Sequence, residues 1–316
     1  MRKLRALLLT EGMHGMISQV EGMAKALKTE FYHKIVRLRF PWNFIPPALT
    51  PISKIILKDK IYIIEKEIPD IIISCGRKSV VPSILLKRQN KSIFTIHIQN
   101  PKVNFNNFDA IVAPEHDNLK GKNVISSKGA IHYITQSEID EAKTYLSDKT
   151  QDQKKIVAVI LGGPNKYYNF SNGEIKNIFN QIKSCFISDG YMAIIVPSMR
   201  TPKRIIDLAN KEFGKNTFVV NSVDKKAYLS SLALATHIVV TCDSTSMISE
   251  AATSGKPVYV AHMKSKKNNY RFRKFFQLFK EMEITRDLGH TAEHWTYNKL
   301  NESDRVAKIL NNMISN

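Results

Sequence analysis

Short apolar runs that stop at small or polar residues, each followed by a stretch of helical period, constrain this chain more than any other feature. Arg5–Leu9 runs into Thr10-Glu11-Gly12-Met13-His14-Gly15, after which Ile17, Val20, Ala24 and Leu27 recur at helical spacing. His33–Leu38 reads as a second strand. Pro41, Pro46, Pro47 and Pro51 then break the chain into a loop carrying Trp42 and Phe44, and Ile52–Glu67 is helical in period. Pro69-Asp70 opens a buried strand that ends at Cys75-Gly76-Arg77, and a helix over Val81–Arg88 follows. Ser92–Ile98, Ala110–Ala113 and Asn123–Ser126 are further strands. Strands that alternate with helices in this way imply a parallel sheet with helices on both faces.

The polar stretch Ser137–Gln153 reads as a linker, after which the alternation restarts. Ile156–Leu161, Ala193–Val196, Thr217–Val220, His237–Thr241 and Pro257–Val260 are strands. Asn172–Ile187, a helix opened by Pro202, Lys225–Ala235 and Ser246–Ser254 lie between them. Helical stretches over Tyr270–Met282 and Thr291–Ile314 close the chain. A length of 316 residues fits two domains of ~100–200 residues. The expected fold class is therefore α/β, with two Rossmann-like doubly wound parallel-sheet domains facing a cleft. They are divided as 1–148 and 149–290, with a C-terminal helical segment over 291–316.

Composition excludes several classes. Hydrophobic residues make up 43% of the chain, too many for a disordered basic tail. The apolar runs are too short for a membrane-spanning helix or a signal peptide. Cys75, Cys185 and Cys242 are widely spaced, with no CxxC pair, so neither a disulfide framework nor a cysteine zinc site is expected. No HExxH or other metal-ligating pattern occurs, and no metal is expected. The chain reads as cytoplasmic. Its net charge of +19 invites a nucleic-acid reading. The lysines are scattered, however, and no finger or RNA-binding motif accompanies them, so no nucleic-acid partner is expected. The densest basic run is Lys264-Ser-Lys266-Lys267 with Arg271, Arg273 and Lys274.

Ligands of doubly wound sheets bind beyond the carboxyl ends of the strands. There, Asp243-Ser244-Thr245-Ser246-Met247 enters a helix, whose unpaired amides and hydroxyls suit a diphosphate, with Glu250 about a turn further on for ribose. The same residues read equally well as an ordinary capped helix start. Gly162-Gly163-Pro164-Asn165 is either a tight turn or a close approach to a ligand. Ser198-Met199-Arg200 offers a guanidinium to a phosphate, or to solvent. Glu115, His116 and His14 are candidate acids or bases, with His97 a further one, although a polar turn accounts for Glu115 and His116 as well.

Taken in order, several segments resemble the mitochondrial-fission "elongated mitochondria" family in its bacterial form. They are Leu9–Gly15 through Gln19, Pro69-Asp70 through Gly76-Arg77, Gln99-Asn100-Pro101-Lys102, Phe108-Asp109 through Asp117, Gly162–Asn165, Ser198–Pro202, Val240–Ala251, Gly255–Tyr259 and Arg271-Phe272. Cys242, where that family commonly has an acidic residue, and Asn100, where it commonly has Asp, depart from the pattern. The resemblance implies a GT-B glycosyltransferase-like fold, with a nucleotide-sugar on the C-terminal domain and the last helix crossing back to the N-terminal one. It favours Gly162, Gly163, Asn165, Ser198, Arg200, Asp243, Ser244, Thr245, Ser246, Met247 and Glu250 as nucleotide-sugar contacts. Glu11, Gly12, Gly15, Gly76 and Arg77 would lie on the acceptor side, with His14, Glu115 or His116 as the base.

The expected activity is glycosyl transfer from a nucleotide-sugar donor, with no other cofactor. A sugar 2-epimerase sharing the fold is one alternative. Another is a non-enzymatic adaptor, peripheral on an anionic membrane surface, that recruits a dynamin-like fission protein. In that case Lys264–Lys274 with Tyr270, Phe272, Phe275 and Phe276 would meet the bilayer, although a helix packing those rings inward reads as well.

Overall fold

The computed structural model describes residues 2–59, 68–150, 153–214 and 216–315. The chain folds as two compact units. One is Met1–Tyr133 with Asn301–Asn316, the other Ile134–Leu300.

In the first unit, β1 (Arg5–Thr10), α1 (His14–Ala26), β2 (Glu30–Ile35), β3 (Ile71–Cys75), α2 (Val80–Gln89), β4 (Phe94–Ile98), β5 (Ala110–Pro114) and β6 (Val124–Ser127) follow one another. The strands form a parallel sheet in the order β2-β1-β3-β4-β5-β6. Leu7–Leu9 and Ile71–Ile73 are fully buried, which explains why these strands read as continuous apolar runs rather than alternating ones.

The second unit contains α3 (Gln136–Glu141), α4 (Ser147–Thr150), β7 (Ile156–Leu161), α5 (Asn172–Cys185), β8 (Met192–Pro197), α6 (Lys203–Glu212), β9 (Thr217–Val219), α7 (Lys225–Leu234), β10 (His237–Thr241), α8 (Thr245–Ala252), β11 (Val258–Ala261), α9 (Tyr270–Glu281) and β12 (Thr285–Asp287). Its parallel sheet runs β12-β11-β10-β7-β8-β9. Finally α10 (Glu302–Ser315) joins the first unit, where Val306, Ala307 and Leu310 enter the cluster formed by Val20, Met23 and Ala24.

Four sequence expectations differ. The second strand lies at Glu30–Ile35 rather than His33–Leu38, because β1 pairs from Arg5 with Glu30, while Leu38 turns away to bridge Leu57. Within the segment read as helix Ile52–Glu67, the described part holds only a 3-10 turn, Lys54–Ile56, opened by the Ser53 hydroxyl; residues 60–67 lie outside the described residues.

The stretch read as a linker is folded. Thr135 and Glu138 make a reciprocal cap on α3, the Ser230 hydroxyl accepts from the Leu146 amide, and the Tyr145 hydroxyl donates to Asp224. Buried Ile139 and Leu146 supply the apolar face that its polar composition masks. The closing helix begins at Glu302, not Thr291. Trp295 packs edge-on against Tyr259 and holds the preceding segment out of helical form, and the Asn301 side chain accepts from the Asp304 amide at the helix start.

No described helix is long and apolar enough to cross a membrane.

Candidate functional site

In the second sheet the chain leaves β7 toward β8 on one side and reaches β10 on the other. β7 and β10 therefore flank the point where the strand order reverses, the customary ligand crevice of such sheets. The residues singled out after these strands meet there, and most of them bind one another. The Asp243 side chain is fully buried. Its carboxylate accepts from the Thr241 hydroxyl at 2.7 Å, the Gly163 amide at 3.0 Å and the Arg200 guanidinium at 2.8 Å. Burial raises its pKa, an effect that Arg200 and the hydrogen bonds oppose.

Gly162 and Gly163 are small for the sake of this network. A Cβ on Gly162 would stand 2.2 Å from the Asp243 carboxylate, and one on Gly163 1.9 Å from the Arg200 carbonyl. The close approach read from the sequence is thus to Asp243 and Arg200. Asn165 organises the same turn, accepting from the Tyr167 and Tyr168 amides and donating to the Asp243 carbonyl. Ser198 accepts from the Arg200 amide and shares a hydrogen bond with Thr201. Asp243, Asn165 and Ser198 are accordingly framework groups.

What the framework presents outward is Arg200 and the start of α8. Arg200 donates to the Gly163 carbonyl at 3.0 Å as well as to Asp243, yet its side chain keeps 41% exposure. With five donors on a guanidinium, the anchored group retains N–H groups for an anion. Ser244 is the N-cap, its hydroxyl accepting from the Met247 amide at 3.3 Å. The amides of Thr245 and Ser246 have no intrahelical acceptor at this position, and Thr245, Ser246 and Met247 are half-exposed.

Glu250 makes no capping box, since that position belongs to Met247. It accepts instead from the Tyr228 hydroxyl at 3.0 Å, and burial pushes its pKa up to about 7, partly opposed by Tyr228 and Lys225. Lys266 reaches the same edge, donating from Nζ to the Asn165 carbonyl at 2.9 Å. Cys242 is held by the Met263 amide at 3.2 Å, and burial pushes its thiol up to about 12. Sequence reasoning missed Tyr228, because nothing in the pattern of α7 marks it; Thr241 and Thr201 lay in the strand-end segments it singled out but were not named as contacts. Arg271, Arg273 and Lys274 of the basic run lie on α9, which turns Phe275, Phe276 and Phe279 into the core and sets Phe272 edge-on against Tyr167 and Tyr168.

In the first sheet the reversal lies between β1 and β3. Glu11, Gly12, Gly76 and Arg77 follow these adjacent strands. Glu11 accepts from the Lys78 amide at 3.0 Å and pairs with its ammonium at 3.2 Å. Arg77 donates to the carbonyls of Ile45 and Asn43, tying down the proline-rich loop. Gly12 and Gly76 have positive φ, and Gly15 lies in the first turn of α1.

His14 opens α1, with Nε2 3.5 Å from the Tyr133 hydroxyl. Glu115 and His116 follow β5, three strand positions from β1 and so roughly 14 Å along the sheet. They do not join His14 in one constellation. His116 lies 3.7 Å from Asp117. His97 is a core residue: its Nδ1 meets the Ser74 hydroxyl at 2.8 Å, and burial lowers its pKa to about 3. Gln19, not singled out as a site residue, links Gln99 and Cys75 beneath this edge.

Comparison with solved structures gives the same fold. The UDP-GlcNAc 2-epimerase from Methanocaldococcus jannaschii superposes with a TM-score of 0.55 at 14% identity, over 98% of this chain and 99% of that one. The Neisseria meningitidis UDP-GlcNAc 2-epimerase bound to UDP-GlcNAc gives 0.52 at 14% identity, over 99% and 100%. The glycosyltransferase of kitacinnamycin gives 0.50 at 10% identity, over 100% and 92%. These are GT-B folds.

By sequence, the chain is 28% identical to an uncharacterized protein of Rickettsia prowazekii, RP120, over 91% of this chain and 93% of that protein. It is 26% identical to the mitochondrial fission protein ELM1 of Arabidopsis thaliana over 77% of this chain, a match that spans 63% of the plant protein. Residues 14–314 match the family described as mitochondrial fission ELM1, and the chain belongs to that family.

Proposed function

We propose that the second unit binds a nucleotide-sugar and that the protein transfers its glycosyl group to an acceptor hydroxyl. The observation that carries this reading is Arg200, locked to Asp243 and Gly163 yet 41% exposed, beside the start of α8. A diphosphate leaving group gains negative charge as the bond to the anomeric carbon breaks. Preorganised donors aimed at that charge lower the barrier. Glu250, set in place by Tyr228, supplies an acceptor for ribose hydroxyls. On the first unit, His14 is the base to test first. The solved neighbour bound to UDP-GlcNAc supports a nucleotide-sugar on this fold.

Thermal shift and calorimetry against UDP-, GDP-, ADP- and CMP-sugars test the proposal. A ligand at one hundred times its Kd adds about 2.7 kcal/mol of stability. Ser246→Glu keeps or improves α8, because acidic residues suit a helix start, yet sets a negative charge where the diphosphate would lie. It should abolish the shift while leaving the unliganded melting temperature unchanged or raised. Following the same mixtures by NMR separates transfer, which releases the free nucleotide, from epimerisation, whose product is still a nucleotide-sugar. If no nucleotide-sugar binds, the catalytic reading fails, and an adaptor role in keeping with the plant relative's name takes its place.

A further inference from the structure

We infer that the proline-rich loop of the first unit, residues 36–58, together with the exposed edge strand β2, seats this protein on an anionic lipid bilayer. The inference is independent of the nucleotide-sugar reading.

Exposed apolar side chains are concentrated here. Of thirteen large hydrophobic residues exposed among the described residues, seven lie between positions 31 and 55. Phe40 is 82% exposed, Phe44 75%, Leu49 73% and Ile55 63%. Scattered apolar residues are ordinary on a protein surface; a cluster on one segment marks an interaction face.

The display is built rather than frayed. Leu38 and Leu57 form an antiparallel bridge, the Arg39 amide donates to the Ile56 carbonyl at 2.8 Å, and the Lys58 amide donates to the Arg37 carbonyl at 2.9 Å. Arg77 fixes the carbonyls of Ile45 and Asn43 from below, and the Thr50 hydroxyl donates to Pro46. Leu38, Ile56 and Leu57 point into the core with Trp42 packed against them, so the loop has an inner apolar side already satisfied and a second apolar side turned outward.

Charge selects the occupant. Over β2 and the loop, residues 30–58, five Lys or Arg stand against a single acidic residue, Glu30. Arg37, Arg39, Lys54 and Lys58 are exposed around the apolar residues. A second copy docked face to face would set this cationic rim against itself. An anionic bilayer satisfies both features: the rings enter the headgroup boundary, and the basic side chains reach the lipid phosphates. The basic run Lys264–Lys274, the other membrane candidate, lacks such a face, because Phe275 and Phe276 are buried.

The test is flotation of the full chain with vesicles of phosphatidylcholine alone and with about 30% phosphatidylglycerol. Binding is expected only to the anionic vesicles, and it should weaken between about 0.1 M and 0.5 M salt as screening shortens. Phe40→Ser with Phe44→Ser should lower partitioning at least about tenfold. Lys54→Glu with Lys58→Glu should lower it by about fivefold or more per residue. Lys264→Glu with Lys267→Glu should leave it unchanged.

The chain has two tryptophans, and Trp295 is buried, so a blue shift of emission on vesicle binding reports Trp42. The Phe40 and Phe44 side chains are exposed, and an unchanged melting curve verifies that the double variant folds. The inference is overturned if the wild-type chain ignores anionic vesicles. Loss of binding on reversing Lys264 and Lys267 alone would overturn it too, as would Phe40 and Phe44 substitutions that change the oligomeric state but not vesicle partitioning.

Discussion

Glu250 offers the sharpest test of the site. A carboxyl held at about 7 in the fold and at its ordinary 4.5 in the unfolded chain leaves the native state the more protonated between those values. Folding stability therefore falls as pH rises from about 4.5 and levels off once pH has passed 7. The gap corresponds to at most about 3 kcal/mol. The residue is partly exposed, so about 2 kcal/mol is the working figure. Glu250→Gln keeps the shape and cannot ionise. Its advantage over the wild-type chain should be near zero at pH 4, about 1 kcal/mol or less at pH 5, and should grow to about 2 kcal/mol at pH 8. Urea unfolding of both proteins across this range, followed as the difference in midpoint, cancels the titration of every other group. A difference that stays flat from pH 5 to pH 8 would falsify the enclosed carboxylate. A difference that grows in the opposite direction would place Glu250 in an ion pair. A ligand that hydrogen-bonds to the ionised carboxylate should also bind more tightly at pH 8 than at pH 6, and this slope should vanish in Glu250→Gln.

Asp243→Ala leaves the Gly163 amide and the Thr241 hydroxyl buried without their acceptor. It should cost about 3–5 kcal/mol, seen as an early transition in denaturant melts. Gly162→Ala drives a methyl against the Asp243 carboxylate and should cost about 1–3 kcal/mol. Gly173→Ala, which meets nothing within 4 Å in α5, should be neutral or stabilise by up to about 1 kcal/mol in the same urea series. Glu302 accepts from the Lys128 amide at 2.7 Å and pairs with Arg305 at 2.7 Å. Glu302→Ala should therefore cost about 2–4 kcal/mol, and hydrogen exchange should quicken in α10 and β6 while the second unit is unaffected.

The parallel strands were legible because both their faces are buried, so Leu7–Leu9, Ile71–Ile73 and Ile156–Leu161 appear as unbroken apolar runs. The strand-end motifs were legible for a related reason: a doubly wound sheet gathers its turns at one edge, and Gly162, Arg200 and Asp243 lie 81 positions apart at most in sequence yet touch in the fold. Their roles were less legible. A buried carboxylate accepting three hydrogen bonds looks, in sequence, like any other residue ahead of a helix, and so Asp243 read as a ligand contact. Tyr228 was invisible because its partner lies on another helix. The stretch Ser137–Gln153 looked like a linker because, among its described residues, Ile139 and Leu146 are the only buried apolar ones among many polar neighbours.

The first unit is completed from both ends of the sequence. Until α10 emerges, the apolar side of α1 that holds Val20, Met23 and Ala24 lacks Val306, Ala307 and Leu310. Roughly 170 residues separate the two parts, which at a typical elongation rate means about 10–30 s of synthesis. By the end of that interval the second unit has all its strands and can close its sheet before the first unit is complete, although its sequence comes later. The nascent first sheet meanwhile exposes a sticky helix face, and chaperone occupancy should peak there and fall once α10 docks on α1.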